Sequence, residues 1–240
     1  PVDGTTPWTE RSATFRVPVG AETAKLFVFC SLSGTAWFDD VFVAPVRAPE
    51  QVVHETPTIV FHAPMDAPIS EEHREKNQAV LAEFSTRLGT TLPGPVQFHR
   101  YRDNAQKGEL TGFAGNAHAT PPLEVHTIWP VDQHEVVHLL TATWGPTDSA
   151  LLGEGVAVAM GGVWHSRPVH EWVPELREEG RLPTLGALVE SEAFWRLDDL
   201  VTYPVSGSFV AWLIEAHGMS KFREAYVGEG GTAARLERVY

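Results

Sequence analysis

Hydrophobic and polar residues change their rhythm twice along this chain. Up to about residue 48 the apolar positions form short β-branched or aromatic runs, at 12–17, 24–29 and 35–43, which predict strands. Segments 18–21 and 31–34, with Pro18, Gly20 and Gly34, separate them as turns. Residues 49–56, set among Pro45, Pro49 and Pro57, read as a linker. A helix is predicted over 71–88, where Val80, Leu81, Phe84 and Leu88 recur at helical spacing. Ser70 caps it, Glu71 and Glu72 suit its positive end, and Gly89 stops it. From 96 to 129 short β-like runs alternate with Gly and Asn, as in an antiparallel sheet with strands at 98–101, 112–119 and 125–129. Beyond Pro130 the pattern turns helical, with helices expected over 132–143, 149–160, 184–194, 204–217 and 220–227. Gly145, Gly161 and Gly218 lie just past three of these helices, where a left-handed cap is common.

Composition narrows the class. A chain of 240 residues, 43% of them hydrophobic, can form one sizeable domain or two small ones and needs no disulfide staples. No apolar run approaches the roughly 18 residues of a membrane span, and none has the form of a signal peptide. Pro1 in place of an initiator Met is what a processed or trimmed chain would show. A formal charge of -13 argues against a nucleic-acid partner, because phosphate binding needs clustered Lys and Arg. The lone Cys30 excludes an internal disulfide and a Cys-rich zinc knuckle, and its apolar run 26–30 suits a buried, inert thiol. Eleven histidines are the compositional oddity.

Two of them, His134 and His138, stand four residues apart in a predicted helix and so project from one face. That spacing lets both imidazoles reach one Zn²⁺ at about 2.0–2.1 Å. Glu135, between them, can take a proton from water held at that site. In a His-rich chain such a match arises by chance at a rate on the order of a few per cent, so context must decide. Zinc needs a third protein ligand and an open position. Sixteen positions after His138, Glu154 sits near the start of an otherwise apolar helix, flanked by Gly153, Gly155 and Ala157, small enough to let that helix approach the first. A lone carboxylate there is costly to bury unless it is paired or bound to metal. The plain alternative is a solvated residue at a helix end.

These residues resemble those of a gluzincin metallopeptidase: His134-Glu135-Val136-Val137-His138, then Glu154-Gly155-Val156-Ala157, then the helix around Tyr203. The closer similarity is to peptidase MA-like domains and aminopeptidases of the M1 type. The likeness spans roughly residues 57–230, and it implies an α+β fold with a thermolysin-like zincin catalytic domain over 57–240. It implies that His134, His138 and Glu154 bind zinc, that Glu135 is the general base, and that Tyr203 stabilises the oxyanion. A phenol suits that last role because it can donate to a developing alkoxide; a half-buried aromatic with a surface hydroxyl is the equal alternative. The family also binds the substrate backbone along an edge strand, for which 112–117 is the candidate, although its Gly and Ala could equally mark a bulge. No copy of the Gly-rich motif with which M1 aminopeptidases recognise a free amine is found, so exopeptidase activity is not implied. His118, His126, His165 and His170 could line the cleft, with His165 or His170 assisting at the transition state. The ordinary reading for each is a surface or hydrogen-bonded histidine. Asp198, Asp199, Glu178 and Glu179 read as solvated charges.

The runs 15–21 and 34–41 resemble the last strands of carbohydrate-binding, galactose-binding-like jelly rolls, so residues 1–48 are expected to form a partial β-sandwich. Whole modules of that kind exceed about 100 residues, and sugar binding by the fragment is not expected. The expectation is therefore a secreted or cell-surface zinc endopeptidase of bacterial type acting on peptides or proteins. Two alternatives stay open: a catalytically retired binding protein on the same fold, and a peptidase directed at glycosylated proteins.

Overall fold

Alternation along three short segments builds the centre of the molecule. In β2 (Ile59–Pro64), β3 (Val96–Arg100) and β5 (Glu124–Thr127), the buried Ile59, Phe61, Val96, Phe98 and Val125 fall on one face. With β1 (Gln51–Glu55) and β4 (Ala117–Thr120) these strands form a five-stranded mixed sheet of order β1-β2-β3-β5-β4. The pairs β2–β3 and β3–β5 are parallel, and the outer strands β1 and β4 run antiparallel to their neighbours. This computed structural model describes residues 37–44 and 49–240.

The apolar face joins one core with Val80, Leu81, Phe84 and Leu88 of helix α1 (Glu71–Leu88) and Val136, Val137 and Leu140 of α3 (Gln133–Ala142). The α1 caps are those expected: Ser70 accepts from His73 N, and Gly89 adopts a left-handed φ of 63°. Helix α2 (Asn104–Thr111) lies between β3 and β4, and α4 (Ala150–Gly161) follows α3. A two-stranded hairpin, β6 (Val163–Trp164) and β7 (Arg167–Pro168), leads into α5 (Val169–Glu178). The chain then runs through α6 (Leu185–Val189), α7 (Ser191–Phe194), α8 (Asp199–His217), α9 (Met219–Val227) and α10 (Thr232–Val239). The fold is α+β. No helix among the described residues is long and apolar enough to cross a membrane.

Several expectations are corrected. Residues 51–55 form an edge strand rather than part of a linker; all five are exposed, so no alternation betrayed their pairing with β2. The strand expected over 112–119 shrinks to Ala117–Thr120, because Gly112, at a φ of 79°, ends α2 and residues 113–116 form a loop. That loop also removes 112–117 as the edge strand; β4 is the edge instead. The helix expected over 184–194 divides into α6 and α7 at the extended Glu190. Helix α8 begins five residues before the expected 204, since Asp198 caps it by accepting from Leu200 N, and Tyr203 lies in its second turn. Asp198 also pairs with Arg181 at 3.3 Å, so it is more than a solvated charge. Left-handed Gly162, not Gly161, caps α4. The strands expected at 12–17 and 24–29, and Cys30, lie outside the described residues, as does most of the 1–48 sandwich. Of the 35–43 run, residues 37–43 carry no strand and stand exposed.

The closest helix packing is between α4 and α8, and two glycines permit it. A Cβ on Gly155 would lie 2.9 Å from the Ser206 carbonyl oxygen and 2.6 Å from a Val210 methyl, and one on Gly207 would collide with Val158. Gly155 thus lets α4 approach α8 rather than α3, contrary to the sequence expectation. Helix α8 is thereby brought close enough for Tyr203 to reach residues of α3 and α4.

Candidate metal centre

The α3 helix is anchored at its first turn before its chemistry begins. Asp132 is the N-cap and its Oδ1 accepts from Glu135 N at 3.1 Å. Buried Asn77 of α1 holds the approach: its Nδ2 donates to Pro130 O at 2.9 Å, and its Oδ1 accepts from Asp132 N at 3.3 Å. The register of His134, Glu135 and His138 is fixed by this join between α1 and the α3 cap.

One turn apart on α3, His134 and His138 face Glu154 in the second turn of α4. Their ligand atoms form a nearly equilateral triangle: His134 Nε2 to Glu154 Oε2 is 3.0 Å, His134 Nε2 to His138 Nε2 is 3.1 Å, and His138 Nε2 to Glu154 Oε2 is 3.5 Å. Three ligands of a tetrahedral zinc with bonds of about 2.0–2.1 Å stand about 3.3–3.4 Å apart. The residues therefore fit the ion in donor type, number and spacing. Glu154 is not a solvated helix end, since its side chain is only 16% exposed. Burial alone would raise its pKa, but hydrogen bonds with His134 and His138 outweigh burial and hold the carboxyl well below its usual range. His134 is raised: burial opposes its charge, and Glu154 more than offsets this.

Glu135 is buried beside the triangle, and burial pushes its pKa up while His134 and His138 pull it down. Tyr203 comes from α8; its ring lies 5.9 Å from that of His134, and its phenol is near enough to Glu154 to feel that carboxylate. Burial first, and Glu154 second, push the phenol pKa up, so it stays a proton donor at any ordinary pH. Trp164 is a further neighbour of the site that the sequence reading missed. Its ring stacks on Tyr203 at 4.5 Å and 15°, and lies 6.3 Å from His134. The hairpin that carries it turns through His165 and Ser166, both at positive φ (49° and 63°), a conformation that non-glycine residues adopt at a cost. Its only sequence signal was a pair of tryptophan and histidine following the glycines at 161–162.

The chain matches no family model and no curated protein.

Six of the remaining histidines fall into two groups. His62, His99, His126 and His118 occupy register-paired positions on β2, β3, β5 and β4, and their rings stack in a row at 4.4, 4.9 and 4.7 Å. His126 also bonds to the Tyr101 hydroxyl (2.9 Å) and to Glu124 (3.1 Å). The row lies on the face of the sheet opposite the apolar core, so His118 and His126 are not placed with the metal ligands. His165 packs edge-on against Trp164 at 5.2 Å, and His170 bonds to Ser208 at 2.8 Å. Neither joins the metal-ligand group.

Lys107 was also missed. It is fully buried, donates to Phe113 O at 3.1 Å and sits 4.4 Å over the Phe113 ring. Burial lowers its amine from 10.5 to about 8, against the pull of Glu135 and Asp132. Between those pH values the unfolded chain holds a proton that the folded chain lacks, so stability rises with pH across that window and the burial penalty is complete below it. In metal-free protein, urea denaturation at pH 7.5 and pH 10 should show the wild type gaining about 1–2 kcal/mol relative to Lys107→Met. Identical pH dependence in the two proteins would contradict this account of the buried amine.

A cavity of about 380 Å³ opens beside the triangle, with His138 and Glu154 in its lining.

Proposed function

We propose that this chain is a zinc-dependent peptidase of the thermolysin-like, gluzincin kind, acting as an endopeptidase. The observation that carries the reading is the convergence of His134 Nε2, His138 Nε2 and Glu154 Oε2 within 3.0–3.5 Å of one another, with the carboxyl of Glu135 buried next to them. His134, His138 and Glu154 would hold the metal. Zinc, when bound, supplies Lewis-acid polarisation of the scissile carbonyl and lowers the pKa of water from 15.7 to about 7.

The protein side of the chemistry belongs to two groups. Glu135 takes a proton from the attacking water and delivers it to the leaving amine, and its burial favours this two-way role by raising its proton affinity. Tyr203 donates its hydroxyl proton in a hydrogen bond to the oxyanion that forms at the carbonyl. The outer side of β4 pairs with no described strand, so an extended peptide can add there as a further strand. Tyr203→Phe should lower kcat about 100-fold while the protein still binds one zinc, as expected when one oxyanion donor is removed. A kcat within twofold of wild type would reassign the phenol to a structural role.

The reading as a whole is tested by digesting a broad peptide mixture with metal-loaded protein, with and without chelator. Chelator-sensitive cleavage supports it. A protein that binds zinc at this triangle but cuts nothing would favour a retired, binding-only fold.

A further inference from the structure

The cavity beside His138 and Glu154 is at the lower end of volumes that accept a small molecule or a long side chain. The metal-ligand cluster occupies only part of its lining. Much of the rest comes from the segment joining α3 to α4, which contributes Thr147 and Asp148, and Trp195 just after α7 adds an aromatic side. Small residues such as Gly153 keep the space open.

With Glu154 committed to the metal, Asp148 is the carboxylate of this lining left to meet a substrate, and no Lys or Arg among the described residues lines it. Asp148 has a side chain 78% exposed, yet its Oδ1 is held at 2.6 Å by Nη2 of Arg235, whose own side chain is 2% exposed. The other nitrogen of that guanidinium, Nη1, donates to Tyr226 O at 3.1 Å and Gly228 O at 3.2 Å. Arg235 thus fixes the carboxylate from within the protein without facing the cavity. The pair is close to neutral from afar, but a cation arriving from the cavity meets the outer Oδ2 before it meets the guanidinium. Trp195, 56% exposed, adds an aromatic face, which attracts a cation through its ring quadrupole.

We propose that this cavity is a specificity pocket for a basic side chain, Lys or Arg, on a residue flanking the scissile bond. The assignment rests on the peptidase reading above. An acidic side chain would meet the outer oxygen of Asp148 there, and an aliphatic one would leave that oxygen with nothing better than water.

The test uses the full, zinc-loaded chain on matched peptides carrying Lys, Arg, Leu, Phe, Glu or an O-glycosylated Ser at each position beside the cleaved bond. At one of those positions Lys and Arg should exceed Leu in kcat/KM by about tenfold, the size of one charge-assisted contact together with a cation–π contact. Trp195→Ala and Asp148→Asn should each lower that Lys-to-Leu ratio by about fivefold. Asp148→Asn weakens the partner of a buried guanidinium and can fail to fold; Trp195→Ala alters an exposed side chain and keeps the test open. Cleavage led by Leu, Phe or the glycosylated Ser overturns the pocket assignment and leaves the peptidase reading standing. A basic preference that neither variant reduces also overturns it. No cleavage of any peptide by the zinc-loaded protein removes the peptidase reading and the pocket's role together.

Discussion

Glu135→Gln should retain one zinc per chain and wild-type thermal stability while losing peptide hydrolysis by about 10²–10⁴-fold, the usual contribution of a positioned general base. Glutamine preserves the size of the side chain and its place beside His134 but cannot accept a proton at neutral pH. The cap of α3 does not use the charge of Glu135: the hydrogen bond that Asp132 Oδ1 accepts comes from the Glu135 backbone, not from its side chain. Burial penalises this carboxylate, so the neutral amide should if anything fold slightly more stably. The decisive measurements are single-substrate kinetics and elemental analysis on the same preparation. An active, zinc-loaded Glu135→Gln protein would remove Glu135 from the mechanism, and a variant that had lost its metal would make the comparison one of metal binding rather than proton transfer.

The parts of this site legible in the sequence are those carried on single helices. His134 and His138 share α3, whose spacing alone brings them to one face with Glu135 between them in sequence, and Glu154 stands out as a charge in an apolar helix. The capped α1 was legible for the same local reason. Elements that owe their form to tertiary contacts were not. Helix α2 buries only Lys107, so it has no apolar stripe to detect, and β1 is exposed along its whole length. Asn77 and Trp164 act on the site from other elements, across 55 positions of sequence between Asn77 and Asp132 and across the ring stack between Trp164 and Tyr203. Gly155 was read correctly as a point of close approach but assigned to the wrong neighbour, because a glycine signals that something comes near without saying what.

The role of Glu154 carries the most inference, and its removal gives the second large effect. Glu154→Ala should bind zinc more than about 100-fold more weakly, since loss of an outer partner alone already costs 10–100-fold. After dialysis against a mild chelator, the zinc content should fall from about one per chain to near zero, by the ligand count a catalytic site requires. A thermal readout gives an independent measure. Zinc at 1,000 times its Kd stabilises a folded protein by about 4 kcal/mol, so added zinc should raise the melting temperature of the wild type strongly, while the same concentration should stabilise Glu154→Ala by at most about 1.4 kcal/mol. The substitution also discriminates between the two things Glu154 does in the present geometry. It is the third corner of the ligand triangle, and it is a close neighbour of the Tyr203 phenol. Tyr203→Phe removes the second contact and leaves the first, so it should bind zinc normally. If both variants weakened zinc equally, the phenol would have to be counted as part of the metal site. If Glu154→Ala held one zinc at wild-type affinity, the triangle would be only a hydrogen-bonded cluster, and the two histidines would need a different third ligand.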